Sequence, residues 1–308
     1  MKTLLKKSLF TTLGLAMSIY SMAQTEVFKV LASRGKNTLA DGSAVFAGKK
    51  LGASDIIKVG EGSYLGLIHS TGKTLEVKEA GTYKIGELSS KAIAKSSSIT
   101  KKYSDYVIGE LTKAESSDIH ANYQKNMKVT GSVERAIGDF SKMILPKQSN
   151  IINNVNTLSW AKVAKATSYT LEVSNMFDDI ILSKELTDTV FILDLAAVKM
   201  PKDQTIMVKV KANGTDAQPD SYVLKSLVPT KSPEVFADKD QLAKEFSDES
   251  ALNYMMKASF YAQNNLFVDA KDAFEKAIKL EPSVSEFKSA YMNFLSKNQL
   301  LQYYPYEK

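Results

Sequence analysis

A chain of 308 residues, 44% hydrophobic and 24% charged, has the length of about two ordinary domains and enough apolar residues to build their cores. It contains no cysteine, which excludes disulfide staples, lipobox acylation and a thiol nucleophile. The formal net charge of +6 falls to +3 without the three lysines of the first 23 residues, and the remaining lysines alternate with acids, so no basic and aromatic groove for nucleic acid is expected.

The chain opens on Lys2, Lys6 and Lys7, followed by a mostly apolar run from Leu9 to Tyr20 and by Ser21-Met22-Ala23. This pattern is a secretory signal over residues 1–23, cleaved after Ala23. Its apolar run is shorter than the roughly 20 residues needed to cross a bilayer, and no later run reaches that length. The expected protein is periplasmic or secreted and does not span a membrane after cleavage.

Residues 24–90 carry ten of the 15 glycines, which punctuate short runs at Val27–Leu31, Ile56–Val59, Tyr64–His69, Thr74–Val77 and Thr82–Ile85. Regular turn signals between short alternating runs predict a small antiparallel β sandwich or barrel. Ser70-Thr71-Gly72-Lys73 reads as a hairpin turn, with Gly72 supplying positive φ. Gly72-Lys73-Thr74 imitates the tail of a phosphate-binding loop, but five residues separate Gly66 from Gly72 where that motif has four, and a strand follows where it needs a helix. Gly60-Glu61-Gly62 lacks the third glycine of a dinucleotide fingerprint, so no nucleotide is expected.

The run from Lys50 to Leu67, through Asp55-Ile56-Ile57-Lys58-Val59 and Ser63-Tyr64-Leu65-Gly66-Leu67, resembles the β-rich periplasmic domain of FecR-type proteins. The resemblance covers about 60 residues and implies a periplasmic β domain. In that family the domain relays a signal from an outer-membrane transporter to a sigma factor through a membrane helix and a cytoplasmic tail, and this chain is read as having neither.

Residues 91–149 are expected to be a helical connector and a linker. Ile99, Tyr103, Tyr106, Val107 and Leu111 recur mostly at spacings of three to four, one face of a helix that docks onto a neighbouring domain, with Ser96-Ser97-Ser98 available to cap its start. Met127 to Ile137, around Thr130-Gly131-Ser132, fits a strand or a short helix. The polar cluster at Pro146 reads as the linker.

In residues 150–228, Leu158, Trp160, Val163, Ala166, Tyr169, Leu171 and Val173 alternate on both sides of a turn, which predicts two strands with Trp160 in the core between sheets. Val190–Leu193, Thr205–Val210 and Ser221–Leu227 add strands, and Asn213-Gly214 a turn. The spacing of Leu158, Trp160, Val163, Ala166, Tyr169, Leu171 and Val173 resembles the opening of a fibronectin type III domain over about 80 residues, and it implies a β sandwich of the spacer or adhesive kind. The pattern departs at Ile206, where that family often has tyrosine. Asp178, Asp179, Asp188 and Asp194 have the spacing of surface turns and of no calcium loop.

Residues 238–308 change to a helical period, with Tyr254, Ala258 and Tyr261, then Ala270, Phe274, Ala277 and Pro282, around a Gln263-Asn264-Asn265 turn. Ala251 to Val284 resembles one tetratricopeptide repeat, with Lys257 where that pattern prefers leucine and Asn265 where it prefers glycine. A single repeat cannot bury its own faces, so Asp240–Phe246 and Glu286–Leu295 are expected as flanking helices. In that family the repeats hold a peptide or helix, which the resemblance transfers to the helices bearing Tyr254, Ala258, Tyr261, Ala270, Phe274 and Ala277. Tyr291, Tyr303, Tyr304 and Tyr306 either extend such a groove or pack its end.

The fold class read from the sequence is therefore multidomain α+β: an N-terminal β sandwich or barrel, a helical connector, a fibronectin III-like sandwich and a C-terminal tetratricopeptide-like bundle. His69 and His120 stand far apart without companion ligands, and neither a G-x-S-x-G elbow nor a serine-lysine pair in a catalytic setting is present, so no catalytic residue, cofactor or metal is expected. The reading is a non-catalytic cell-envelope interaction or scaffolding protein whose β modules are spacers or ligand-facing domains and whose terminal helices bind an envelope protein. Its alternatives are a sensing accessory of the FecR type and a carbohydrate- or peptidoglycan-acting enzyme, which requires paired acids in one deep pocket.

Overall fold

The computed structural model describes residues 26–92, 98–113, 140–201 and 204–303. The signal region, His120, Met127–Ile137, the serines before Ser98, and Tyr304 and Tyr306 lie outside them. Within them the chain is mixed α+β, with several antiparallel sheets followed by a cluster of four C-terminal helices.

Strands β1 (Glu26–Arg34), β2 (Asn37–Leu39), β3 (Lys50–Gly52), β4 (Ile56–Val59), β5 (Tyr64–His69), β6 (Thr74–Val77) and β7 (Gly81–Lys84) make two antiparallel sheets, ordered β3-β1-β5-β6 and β2-β4-β7, and α1 (Ile85–Ala92) follows. Between the sheets lie Phe28, Val30, Leu65 and Leu67 from one and Ile57 and Val59 from the other. The hairpin turn before β6 has Gly72 at φ 88°, which a side chain would strain. All six residues of β5 are buried. Strand alternation accounts for this: Leu65 and Leu67 point into the core between the sheets, while Tyr64 and Ile68 point the other way into a second, larger core.

That larger core includes α2 (Ser98–Lys113), whose Tyr103, Val107 and Leu111 are buried on one face, so the tyrosine stripe is a docking face. Its partners are distant in sequence. Tyr103 meets Phe260 edge-on at 5.4 Å and donates its hydroxyl to Asp238 at 2.6 Å, while Glu110 pairs with Lys297 at 2.7 Å.

Next come β8 (Phe140–Ser141), β9 (Gln148–Ile151), β10 (Val155–Ser159), β11 (Ser168–Ser174), β12 (Ile180–Leu186), β13 (Val190–Asp194), β14 (Thr205–Asn213), β15 (Gln218–Pro219) and β16 (Ser221–Ser226). A five-stranded sheet runs β12-β11-β14-β16-β9, beside the pairs β10-β13 and β8-β15. Trp160 is buried against Tyr169, ring centroids 5.7 Å apart, and the Tyr169 hydroxyl accepts the Val163 N–H at 2.9 Å. The polar cluster expected as a linker instead carries β9, which pairs in parallel with β16. Short polar strands carry no period, so only the tertiary partner reveals them.

The chain closes with α3 (Pro233–Glu245), α4 (Ala251–Gln263), α5 (Phe267–Leu280), α6 (Ser285–Lys297) and a 3-10 turn at Leu301–Tyr303. The α4–α5 turn places Asn265 at φ 56°, a left-handed conformation that Asn tolerates better than most residues. The same apolar cluster runs from Leu31 and Tyr64 through Tyr103 and Phe260 to Leu171 and Trp160, so the helices are packed between the two β parts. Gly66 helps the approach: a Cβ there would stand 3.2 Å from the Leu252 side chain. Polar bonds close both seams. Glu286 accepts the Ser33 N–H at 2.9 Å on one side, and on the other Asn265 O accepts the Asn150 N–H at 2.9 Å and Ser149 Oγ accepts the Phe267 N–H at 3.1 Å. Among the described residues no helix is long and apolar enough to cross a membrane.

Candidate functional site

Helices α3, α4 and α5 and the β9–β10 turn enclose a cleft of about 570 Å³, within the size range of small-ligand pockets. On α4, Tyr254, Lys257 and Tyr261 stand at i, i+3 and i+7; on α5, Asp269, Asp272 and Lys276 repeat that spacing, so each triplet shares one helical face and all six line the cleft. Leu242 and Phe260 supply its apolar wall, and Lys239 a further ammonium.

Charges of both signs act along the cleft, Lys239 on Asp269 and Lys276 on Asp272, but the groups without hydrogen-bond or ion-pair partners lie at its two ends. At the end near the α4–α5 turn, Asn153 donates from its amide to Asp269 Oδ1, while Asp269 Oδ2 is buried and has no hydrogen-bond partner. Asp269 is only 7% exposed, and burial pushes its carboxyl up to about 6. Burial also raises Asp272, and it pushes the Tyr261 hydroxyl up to about 12, with the Asp269 charge adding to the effect. At the opposite end the Lys257 and Lys276 ammoniums lie 5.0 and 5.5 Å from the ring centroid of Tyr254. Burial first, and then the Lys276 charge, lowers Lys257. Neither lysine forms a salt bridge among the described residues.

Of the six residues assigned to the binding helices from the sequence, Tyr254 and Tyr261 line this cleft, whereas Ala258, Ala270, Phe274 and Ala277 are buried in the helical core. Phe274 stacks on Tyr291 at 5.6 Å, and the Tyr291 hydroxyl donates to Glu275 at 2.8 Å, so Tyr291 packs the bundle. Sequence reasoning passed over Asp269, Asp272 and Lys276, and it treated Lys257 only as a departure from a repeat. The i, i+3, i+7 recurrence of charge beside aromatics was the available signal; Asn153, which lies 116 positions from Asp269, gave none.

Outside the cleft, β10 and β13 pair Thr157 with Ile192 and Ser159 with Val190, which puts Val155, Val190 and Ile192 on one face. All three are exposed, Val155 by 57% and Ile192 by 63%, and Val155 also belongs to the cleft wall. His69 is engaged at both ring nitrogens, with Thr71 at 2.8 Å and Ser89 at 3.0 Å, and thereby ties the hairpin to α1. Among the described residues there is no group of three or more His, Asp or Glu side chains placed to hold a metal ion.

No family model matches the chain, and no curated protein matches it. Among solved structures it is similar to the crystal structure of the Clostridium perfringens spore cortex lytic enzyme SleM, at 18% identity and a TM-score of 0.19. The match covers 26% of this chain and spans 28% of that one, which defines neither a fold nor a chemistry.

Proposed function

We propose that this chain is a non-catalytic protein of the cell envelope that holds a segment of a partner envelope protein in the α3–α4–α5 cleft, with the two β parts as its rigid frame. The observation that carries this reading is the cleft itself, where aromatic walls stand beside unbridged ammoniums and a buried carboxylate oxygen without a partner. Sites of this kind, with perturbed groups in one concavity, are the default places for a ligand. The exposed apolar face of β10 and β13 at the cleft mouth adds a surface on which a longer segment rests.

The module resemblances support the same reading. Asn265 has a positive φ, as the tetratricopeptide-like reading expects where that pattern prefers glycine, and Trp160 is buried, as the fibronectin III-like reading expects of its core. The signal-like N-terminus supports a periplasmic or secreted location. The shared core supports a frame over hinged spacers, because large apolar seams suppress relative motion.

A second reading, hydrolysis of a glycan or peptidoglycan bond, is favoured by one observation: Asp269 and Asp272 share the cleft and both are raised. They lie one turn apart on the same helix, however, whereas glycosidic carboxylates flank the bond from two sides. Binding is therefore preferred.

Photocrosslinking tests the reading. A benzophenone side chain at Val155, in the full mature chain within envelope fractions, is expected to label one discrete envelope protein and to stop doing so in Tyr254→Ala. Labelling that persists in Tyr254→Ala, or that is equal from a benzophenone at the exposed Met176 hairpin tip, overturns it.

A further inference from the structure

We propose that the segment held in the cleft is an extended peptide carrying one basic and one acidic side chain, the basic one received by Asp269 and the acidic one by Lys257 and Lys276. This inference rests on the binding reading above and names the chemistry of its ligand.

The argument starts from what the two ends of the cleft lack. Asp269 Oδ2 is buried without a hydrogen-bond partner, and the desolvation cost of that carboxylate is only partly offset by Asn153 and by the Lys239 charge. Its neighbour Oδ1 is already met by Asn153, so the side chain is held in place and the missing group is specifically a donor. A cationic side chain supplies both the donor and the compensating charge.

At the other end no carboxylate bridges the two ammoniums: Glu249 accepts the Tyr254 hydroxyl at 3.0 Å and acts on Lys257 by charge alone, as Asp272 acts on Lys276. Lys257 and Lys276 converge on one Tyr254 ring with no salt bridge to either among the described residues, and their mutual repulsion is part of what lowers Lys257. A carboxylate entering there relieves that repulsion and is held by two ammoniums at once. The aromatic ring beneath keeps the two cations oriented before the anion arrives.

The spacing of the two ends selects the ligand's form. Asp269 and Lys276 are seven residues apart on one helix, a rise of about 10 Å. An extended chain covers that distance in about three residues. A bare amino acid is too short to reach both ends, and two charged side chains about three residues apart on an extended chain match their separation.

The test uses the full mature chain and hexapeptides acetylated at one end and amidated at the other, so that only side chains carry charge. Each set places Lys and Glu two, three or four positions apart, with Gln replacing either or both, and equilibrium dialysis measures retention. The Lys and Glu peptides are expected to bind best, at one of the three spacings. Replacing Glu by Gln is expected to cost about tenfold in the parent protein and little in Lys257→Ala/Lys276→Ala; replacing Lys by Gln is expected to cost about tenfold in the parent and little in Asp269→Asn. Equal retention of the doubly neutral peptides overturns the inference while leaving the cleft as a binding site. Retention of none of them also overturns it, and the Val155 crosslink then decides separately whether the cleft binds a partner at all.

Discussion

Glu76 on β6 accepts the backbone N–H of Leu252 at 2.8 Å, so a carboxylate from the N-terminal β part caps the first turn of α4 from 176 residues upstream. The N-terminal N–H groups of a helix have no intrahelical acceptors, and a negative charge there also meets the positive end of the helix dipole. The same oxygen accepts the buried Tyr64 hydroxyl at 3.0 Å, and Lys78 bridges Glu76 and Glu281 at 2.9 and 2.6 Å. The helix that forms one wall of the cleft is thus anchored by the other end of the chain.

Removing that anchor is expected to destabilise the whole protein. Glu76→Ala leaves the Leu252 N–H and the Tyr64 hydroxyl unpaired, at a cost of about 2–4 kcal/mol, with Glu76→Gln closer to the parent. Because the core is shared, urea unfolding followed by Trp160 fluorescence and by helical circular dichroism should shift together. A shift in the helical signal alone would contradict a single cooperative unit.

Asp269 makes stability depend on pH in a stated direction. Its folded value of about 6 lies above the ordinary 3.8, so the folded state binds the proton more tightly. Its contribution is fully present below about pH 3.8 and is lost as pH rises through 6, amounting to about 3 kcal/mol. Asp269→Asn should remove this loss, so that the variant gains on the parent between pH 5 and pH 7.5 in parallel urea titrations.

The α4–α5 turn offers a backbone test. Asn265 sits at φ 56°, so Asn265→Gly should be close to neutral, while Asn265→Val should cost about 1–2 kcal/mol in thermal or urea unfolding. An equal cost for both would mean that the Asn265 side chain, and not its φ, is what matters there.

The residues read from the helical spacing should divide into two behaviours. Phe274→Ala empties a buried position and is expected to cost about 3–5 kcal/mol of stability. Tyr254→Ala, at the partly exposed cleft wall, should unfold near the parent and yet lose peptide retention. Thermal unfolding and dialysis on the same two variants separate these outcomes.

The local elements were largely legible in the sequence, because period and turn chemistry are local properties. Glycine-punctuated alternation found β4, β5 and β6; the spacing of Leu158, Trp160, Tyr169 and Leu171 found β10 and β11; and the change of period at Ala251 found α4 and α5. Tyr103, Val107 and Leu111 announced a buried helix face without saying what buries it. Where the partner lies far away in the chain, the sequence was silent. The polar β9 exists because β16 pairs with it, β5 is buried on both faces because the helices cover one of them, and the cleft exists because Asn153 meets α5 from 116 positions upstream with α3 beside them. Spacing along a chain encodes which face of an element is apolar. Which charges are left without partners on the opposite face is decided only when the elements pack, since desolvation and pairing depend on distance in space.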